Sequence, residues 1–138
     1  MTERSFIDTN VLVCTDDQDA PEKQRIALDL IERLLADASA VLSTQVLQEY
    51  CAAATRKLGV DPALARRKVE LFSRLDTVQV GTSLILAAID LHRLHRLSFW
   101  DALVVRAALD AGCAVLYTED LAADQRIEGL RIVNPFLA

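Results

Sequence analysis

Aromatic residues, glycine and proline are scarce in this chain of 138 residues. Aromatic side chains make up 5% of it, and it holds four Gly and three Pro. The 52% of residues that are apolar must therefore build a core mainly from Leu, Val, Ile and Ala, which favours helices packed on a sheet over a loop-rich scaffold. The length is enough for one hydrophobic core and too short for two ordinary domains.

Cysteine and long apolar runs are also lacking. Cys14, Cys51 and Cys113 are odd in number and widely spaced, which excludes a disulfide framework or a CxxC metal site. The longest stretch without a charge, residues 77–89, is shorter than the ~18 apolar residues of a membrane span. No apolar leader follows the N-terminal methionine. We therefore expect a soluble, cytoplasmic protein with no membrane segment.

Positive charge is in deficit. Twenty acidic residues against fifteen basic ones give a formal net charge of -5. This balance argues against a protein that holds nucleic acid by bulk electrostatics. It does not exclude an enzyme in which divalent cations neutralise clustered carboxylates and present positive charge to a phosphate.

Short apolar runs alternate with amphipathic segments, and no repeat is present. The runs predict strands at residues 5–8, 40–43, 77–80, 113–117 and 130–133. The segments between them predict helices that begin at Pro21 behind an Asp19/Glu22 capping pair, after Thr44 as the capping residue, at Asp61-Pro62, at Thr82 or Ser83, and at Ser98. The alternation predicts one α/β domain over residues 1–138, with a central, mostly parallel sheet of about five strands and helices on both faces.

Four acids are positioned to meet at one edge of this sheet. Asp8 and Asp120 follow two predicted strands, Asp101 lies in the first turn of a helix, and Glu49 lies on another helix. Ligands bind outside the carboxyl ends of the strands in open α/β sheets. Oxygen ligands of this kind are preferred by Mg²⁺ and Mn²⁺, so the sequence predicts a site for either cation.

Each acid also has a purely structural interpretation. Asp101 follows Ser98 by three residues, as in a helix-capping pair, and Glu49 has the setting of a solvated surface residue. Asp8 and Asp120 have the positions of turn formers. Helix and turn requirements do not explain why acids occur at the ends of two core strands and on two helices that converge on them.

Four short segments surround these acids in a fixed order. They are Asp8-Thr9-Asn10-Val11, Gln48-Glu49-Tyr50, Ser98-Phe99-Trp100-Asp101-Ala102 and Thr118-Glu119-Asp120-Leu121. Together they resemble the ordered motifs of PIN-domain ribonucleases, in particular the VapC-like toxins of bacterial toxin–antitoxin pairs. The resemblance covers essentially the whole chain.

The resemblance implies a three-layer PIN-like fold and an endoribonuclease that hydrolyses RNA phosphodiester bonds with Mg²⁺ or Mn²⁺. The metal-binding and catalytic residues it implies are Asp8, Glu49, Asp101 and Asp120, with Asn10 and Thr118 supporting Asp8. Because Glu119 and Asp124 lie close to Asp120 in the chain, either acid could share its role.

The resemblance also implies partners, namely an RNA substrate, a cognate antitoxin whose C-terminal segment enters the active-site groove, and a second copy of the chain. Arg93 and Arg96, shortly before Ser98, are the predicted phosphate contacts. The clusters Arg56-Lys57 and Arg66-Arg67-Lys68 are weaker candidates. The apolar side chains Leu64, Val69, Leu71, Phe72 and Leu75 suggest a contact surface for a subunit or an antitoxin.

Two other classes of protein also place acids at the strand ends of a small α/β fold. A phosphoacceptor signalling domain needs a lysine after a late strand, but the last lysine is Lys68. The second class is a non-catalytic protein of the same fold whose acidic pocket binds a partner's arginines, and the sequence is compatible with this alternative. His92 and His95 lack the third ligand at suitable spacing that a zinc site needs.

Overall fold

A computed structural model describes residues 3–137 of the chain. Its elements, in chain order, are β1 (Ser5–Ile7), α1 (Thr9–Cys14), α2 (Pro21–Ala36), β2 (Ala40–Ser43), α3 (Thr44–Lys57), α4 (Pro62–Phe72), β3 (Asp76–Val78), α5 (Thr82–His95), α6 (Phe99–Asp110), β4 (Val115–Tyr117), β5 (Arg126–Ile127) and β6 (Leu130–Val133).

The strands form one sheet in the order β3-β2-β1-β4-β6-β5. All neighbours pair in parallel except β5, which is antiparallel to β6. The prediction of a mostly parallel sheet flanked by helices is confirmed. The sheet has six strands where about five were expected, because the two-residue β5 is too short to give a sequence pattern.

Two predicted helix starts differ in detail from the structure. The Asp19/Glu22 capping pair is wrong: Ala20 is the N-cap of α2 without a side-chain bond, and the amide of Asp19 donates to Oδ1 of Asp17. Thr44 is already the first residue of α3, and the hydroxyl of Ser43 accepts from the amide of Val46 instead.

The strand order reverses beside β1, and this reversal locates the site. From β1 the chain proceeds to β2 and β3 on one side, then crosses to β4 on the other. Ile7 of β1 pairs with Tyr117 of β4, so Asp8 and Thr118 leave adjacent strands side by side. Such a switch point at the carboxyl ends of parallel strands is where α/β proteins bind ligands.

The core consists mainly of aliphatic side chains, as the composition predicts. Phe6 and Tyr50 are the fully buried aromatic residues within it. On α4, Leu64 and Leu71 are exposed, whereas Val69, Phe72 and the following Leu75 pack against the core. Of the five side chains predicted to form a contact surface for a subunit or an antitoxin, only Leu64 and Leu71 are therefore exposed. Within residues 3–137, no helix is long and apolar enough to cross a membrane.

Candidate active site

The four predicted acids line one cavity of about 710 Å³. Asp8 follows β1, Glu49 projects from α3, Asp101 from the first turn of α6, and Asp120 from the segment after β4. Asp17 and Glu119 bring the acids lining the cavity to six, against two lysines. The walls of the cavity therefore carry a surplus of negative charge.

Asp8 is buried, with 5% of its surface exposed, and neutral groups hold both of its oxygens. It is the N-cap of α1, where Oδ1 accepts from the amide of Thr9 at 2.7 Å. Oδ2 accepts from the hydroxyl of Thr118 at 2.8 Å. These bonds fix the orientation of the carboxylate in the cavity wall.

Thr118 is held so that its proton points at Asp8. Its oxygen accepts from Nδ2 of Asn10 and from the amide of Asp120, both at 3.1 Å. A hydroxyl has one proton and two lone pairs, so both acceptor positions are filled and the proton is left for Oδ2 of Asp8. Oδ1 of Asn10 also accepts from the amide of Glu119 at 3.3 Å. Asn10 and Thr118 thus lie where the sequence placed them, beside the first aspartate.

Burial raises the pKa of Asp8 from its ordinary value to about 6. The hydrogen bonds from Thr118 and Thr9 lower this pKa, and the nearby carboxylates of Asp120 and Glu49 raise it further. Loss of solvation together with like charge disfavours an ionised carboxylate. A bound cation would act in the opposite direction and favour the ionised form.

Glu49 is tied to the segment that follows Asp8. Its Oε1 accepts from the hydroxyl of Thr9 at 2.8 Å. Gln45 precedes it by four residues on α3, so both side chains lie on one helix face and line the cavity. The hydrogen bond between Thr9 and Glu49 thus joins the cavity walls formed by α1 and α3.

Asp101 lies in a capped helix turn and also at the cavity, so both of its predicted positions are found in the structure. Its backbone amide donates to the hydroxyl of Ser98 at 3.1 Å, which confirms the predicted helix start. Its carboxylate nevertheless lines the cavity. The cap therefore fixes the first turn of α6, from which Asp101 reaches the cavity that Asp8 also lines.

The three acids after β4, Glu119, Asp120 and Asp124, differ in whether they line the cavity and in whether a lysine pairs with them. Asp120 lines the cavity. Glu119 also lines it, but its Oε2 accepts from Nζ of Lys23 at 2.8 Å. Asp124 is exposed, has a left-handed backbone with φ 66°, and is absent from the lining residues. The charge of Asp120 also contributes to the raised pKa of Asp8.

The basic residues at the cavity are Lys23 from α2 and Lys57 from α3. Arg93 and Arg96, the predicted phosphate contacts, are exposed but do not line it. Nζ of Lys23 also lies 5.2 Å from the ring centroid of Phe136. Positive charge at the cavity therefore comes from Lys57, one of the weaker candidates from the sequence, and from Lys23, which the sequence did not indicate, rather than from Arg93 and Arg96.

The donor set suits a hard cation, although its members are not gathered into a coordination shell. Between residues 3 and 137, no three His, Cys, Asp or Glu side chains lie close enough to hold one metal ion, so coordination by three of these acids requires side-chain rotation. Oε1 of Gln45 is buried in the wall without a hydrogen-bond partner, while its Nε2 donates to the carbonyl of Trp100 at 3.2 Å. An orphaned amide oxygen among carboxylates fits Mg²⁺ or Mn²⁺, alone or through bound water.

The sequence reasoning missed several lining residues, among them Asp17, Lys23, Gln45 and Trp100. Gln45 had a signal in its spacing of four from Glu49, and Trp100 in its place beside Asp101. Lys23 had none, because its partner Glu119 is 96 positions away in the chain.

The family model that describes the PIN domain matches residues 5–126, and the chain belongs to this family. No curated protein matches the chain in sequence at a significant level.

Solved structures of VapC toxins and toxin–antitoxin complexes share the fold. The VapC20 toxin of Mycobacterium tuberculosis, described as cleaving the sarcin-ricin loop, is 22% identical, with a TM-score of 0.66 over 84% of this chain and 91% of its own. A toxin–antitoxin complex from Klebsiella pneumoniae gives 18% identity and a TM-score of 0.70 over 96% and 98%. DNA-bound VapBC from Salmonella typhimurium gives 24% identity and a TM-score of 0.65 over 95% and 97%.

Proposed function

We propose that this chain is a Mg²⁺- or Mn²⁺-dependent endoribonuclease and the toxin of a toxin–antitoxin pair. The observation that carries the proposal is the single cavity lined by Asp8, Glu49, Asp101 and Asp120 at the switch point of the sheet. Membership of the PIN-domain family supports it, as does the fold shared with a toxin that cleaves the sarcin-ricin loop.

The four acids would hold the cation, with Asp8 fixed by Thr118 and Asn10. When bound, the cation supplies neutralising charge, a water of lowered pKa and stabilisation of the anionic transition state. The hydroxyl of Thr9 holds Glu49 beside Asp8. The hydroxyl of Thr118 donates to Oδ2 of Asp8 and so favours the ionised carboxylate. Lys23 and Lys57 give the incoming phosphates positive charge at the cavity, and Arg93 and Arg96 give it on the outer surface.

The proposed partners are RNA, an antitoxin and a second copy of the chain. The surplus of carboxylates favours an inserted arginine of an antitoxin through charge-assisted hydrogen bonds. The exposed Leu64 and Leu71 on α4 offer apolar area for a subunit contact. Sedimentation of the purified chain as a dimer would support the second copy, and a stable monomer would contradict it.

A non-catalytic acidic-pocket protein is the second candidate. The observation in its favour is that three carboxylates are not gathered for one ion within residues 3–137. This candidate predicts affinity for an arginine-containing peptide without RNA cleavage under any condition. A phosphoacceptor domain fits less well, because Lys23, which contacts the segment after β4, is paired with Glu119.

The decisive experiment measures cleavage of mixed RNA by the purified chain. Cleavage is expected with Mn²⁺, none with EDTA, and little with Asp101→Asn. The matched control is Asp90→Asn, an exposed acid of α5 outside the cavity, which should cleave like the unmodified chain. Cleavage in EDTA, or full activity of Asp101→Asn, would refute the proposal.

A further inference from the structure

One aromatic side chain of this protein faces solvent, and it stands at the acidic cavity. All seven aromatic residues, one Trp, two Tyr and four Phe, lie within the described residues 3–137, and among them only Trp100 is exposed, with 61% of its surface accessible. It lines the cavity next to Asp101 on the first turn of α6. An exposed ring of this size does not contribute the favourable free energy that burial of apolar surface would give.

One aromatic contact supports the ring, and two hydrogen bonds hold the backbone of the turn that carries it. Phe99 meets it edge-to-face, with centroids 5.2 Å apart and planes at 70°. The carbonyl of Trp100 accepts from Nε2 of Gln45, and the hydroxyl of Ser98 caps the same turn. Phe99 itself packs against the core. Because the backbone beneath the ring is fixed and Phe99 limits the ring's freedom, a ligand that stacks on it spends less free energy on ordering it.

The charge of the cavity favours an uncharged contact with the substrate. Six acids and two lysines line it, so its side chains alone, without a bound cation, attract phosphates only weakly. A nucleobase stacked on an aromatic ring gains affinity without any need for positive charge, and every base has a face that can stack. Sequence-tolerant stacking of splayed bases is the usual means of binding single-stranded or loop RNA.

We infer that Trp100 is the stacking platform for an unpaired nucleobase of the RNA strand whose phosphate lies at the four acids. The inference rests on the proposed function, and what it adds is the contact between Trp100 and the base. A base in an intact duplex cannot lie on the ring, because both of its faces are already covered by neighbouring base pairs.

The single tryptophan makes the test specific, because excitation of indole reports on Trp100 alone. The full chain is titrated in Ca²⁺ with three RNA oligonucleotides: a single strand, the same strand with one abasic ribose, and its duplex. Gel analysis checks that the RNA stays intact. Strong quenching by the single strand, with weaker quenching by the abasic strand and the duplex, is expected.

Fluorescence polarisation of labelled RNA supplies the second readout. Trp100→Ala should weaken binding of the single strand by roughly tenfold, and Trp100→Phe should retain most of the affinity. The matched control is Leu94→Ala, which removes another exposed apolar side chain, 73% accessible and outside the cavity. Thermal unfolding should show both alanine variants folded.

The outcomes separate this inference from the proposed function. Equal quenching by all three RNAs, or RNA binding without quenching and without loss in Trp100→Ala, would overturn the stacking role even if the chain cleaves RNA. Quenching by an arginine-rich peptide but by none of the RNAs would assign the ring to a protein partner and also overturn it. Base-dependent quenching without cleavage in Mn²⁺ would uphold the stacking role and reject the nuclease.

Discussion

Two aspartates at opposite ends of the same short helix have opposite electrostatic environments. Asp8 precedes α1 and receives bonds only from the uncharged donors Thr9 and Thr118. Asp16 follows α1, and its Oδ1 accepts from Nζ of Lys68 at 2.6 Å while its Oδ2 accepts from the hydroxyl of Tyr50 at 2.5 Å. The fold therefore supplies a cation to one carboxylate and none to the other.

The difference shows which acid is structural. Lys68 also donates to the hydroxyl of Thr15, and its Nζ lies 5.6 Å from the ring centroids of Tyr50 and Phe72. Burial and the Asp16 carboxylate raise the pKa of Tyr50, so its hydroxyl stays a donor. Asp16 thus joins α1, α3 and α4, whereas the negative charge at Asp8 is left for a ligand to neutralise.

The largest expected effect is on catalysis. Asp8→Asn should lower RNA cleavage in Mn²⁺ by about a hundredfold or more, because bound metal supplies several kcal/mol of transition-state stabilisation. Asp16→Asn should keep most of the activity. Initial rates measure both, with circular dichroism to establish folding. A folded Asp16→Asn variant as inactive as Asp8→Asn would end the contrast between the two acids.

The next effect is on stability. Lys68→Met leaves Asp16 largely buried without its cation, since their side chains are only 22% and 13% exposed. It should lower the free energy of unfolding by about 3 kcal/mol, measured by urea denaturation. Arg66→Met on the same helix is the control. Its pair with Glu70 is 80% and 59% exposed and should contribute less than about 0.5 kcal/mol. Equal losses in the two variants would contradict this assignment.

Thr118→Val should weaken Mn²⁺ binding by about 10- to 100-fold, the usual cost of losing a group that orients a metal ligand. The variant removes the donor to Asp8 and the acceptor of Asn10 and Asp120. Thr118→Ser keeps the hydroxyl and should restore most of the affinity. Calorimetry measures both variants, and unchanged binding by Thr118→Val would show that the network does not act on the metal.

The smallest expected effect is a pH dependence. Because the pKa of Asp8 is raised to about 6, Mn²⁺ must displace a proton in more acidic solution, and its affinity should fall by up to about tenfold per pH unit below 6. In the metal-free chain, the stability contributed by protonated Asp8 is fully present below about pH 4 and is lost as the pH rises through 6. Asp8→Asn should flatten both profiles. Mn²⁺ affinity that is equal at pH 5 and 7 would contradict the raised pKa.

The sequence predicted the fold where strands are buried apolar runs. The predicted strands at 40–43 and 130–133 coincide with β2 and β6. It missed β5, whose pairing is set by the adjoining turn with Gly129 at φ 90°, and it missed α1, which has only six residues. Elements this short are formed by tertiary contacts more than by a repeating pattern.

The site was partly predictable for a related reason. Asp8 and Asp120 were predicted because each follows the end of a strand, and parallel pairing brings strand ends together. The supporting role of Thr118 was implied only by the family resemblance. Lys23 was not found, because its position at the cavity depends on how α2 is rotated against the sheet. A linear pattern of residues does not encode that rotation.

Diffraction from crystals soaked in Mn²⁺, recorded with its anomalous signal, tests the account most directly. We expect manganese in the cavity with oxygens of Asp8 and at least one of Glu49, Asp101 and Asp120 at roughly 2.1–2.2 Å. A cavity without manganese, or one in which the ammonium group of Lys23 or Lys57 lies between the acids, would contradict it.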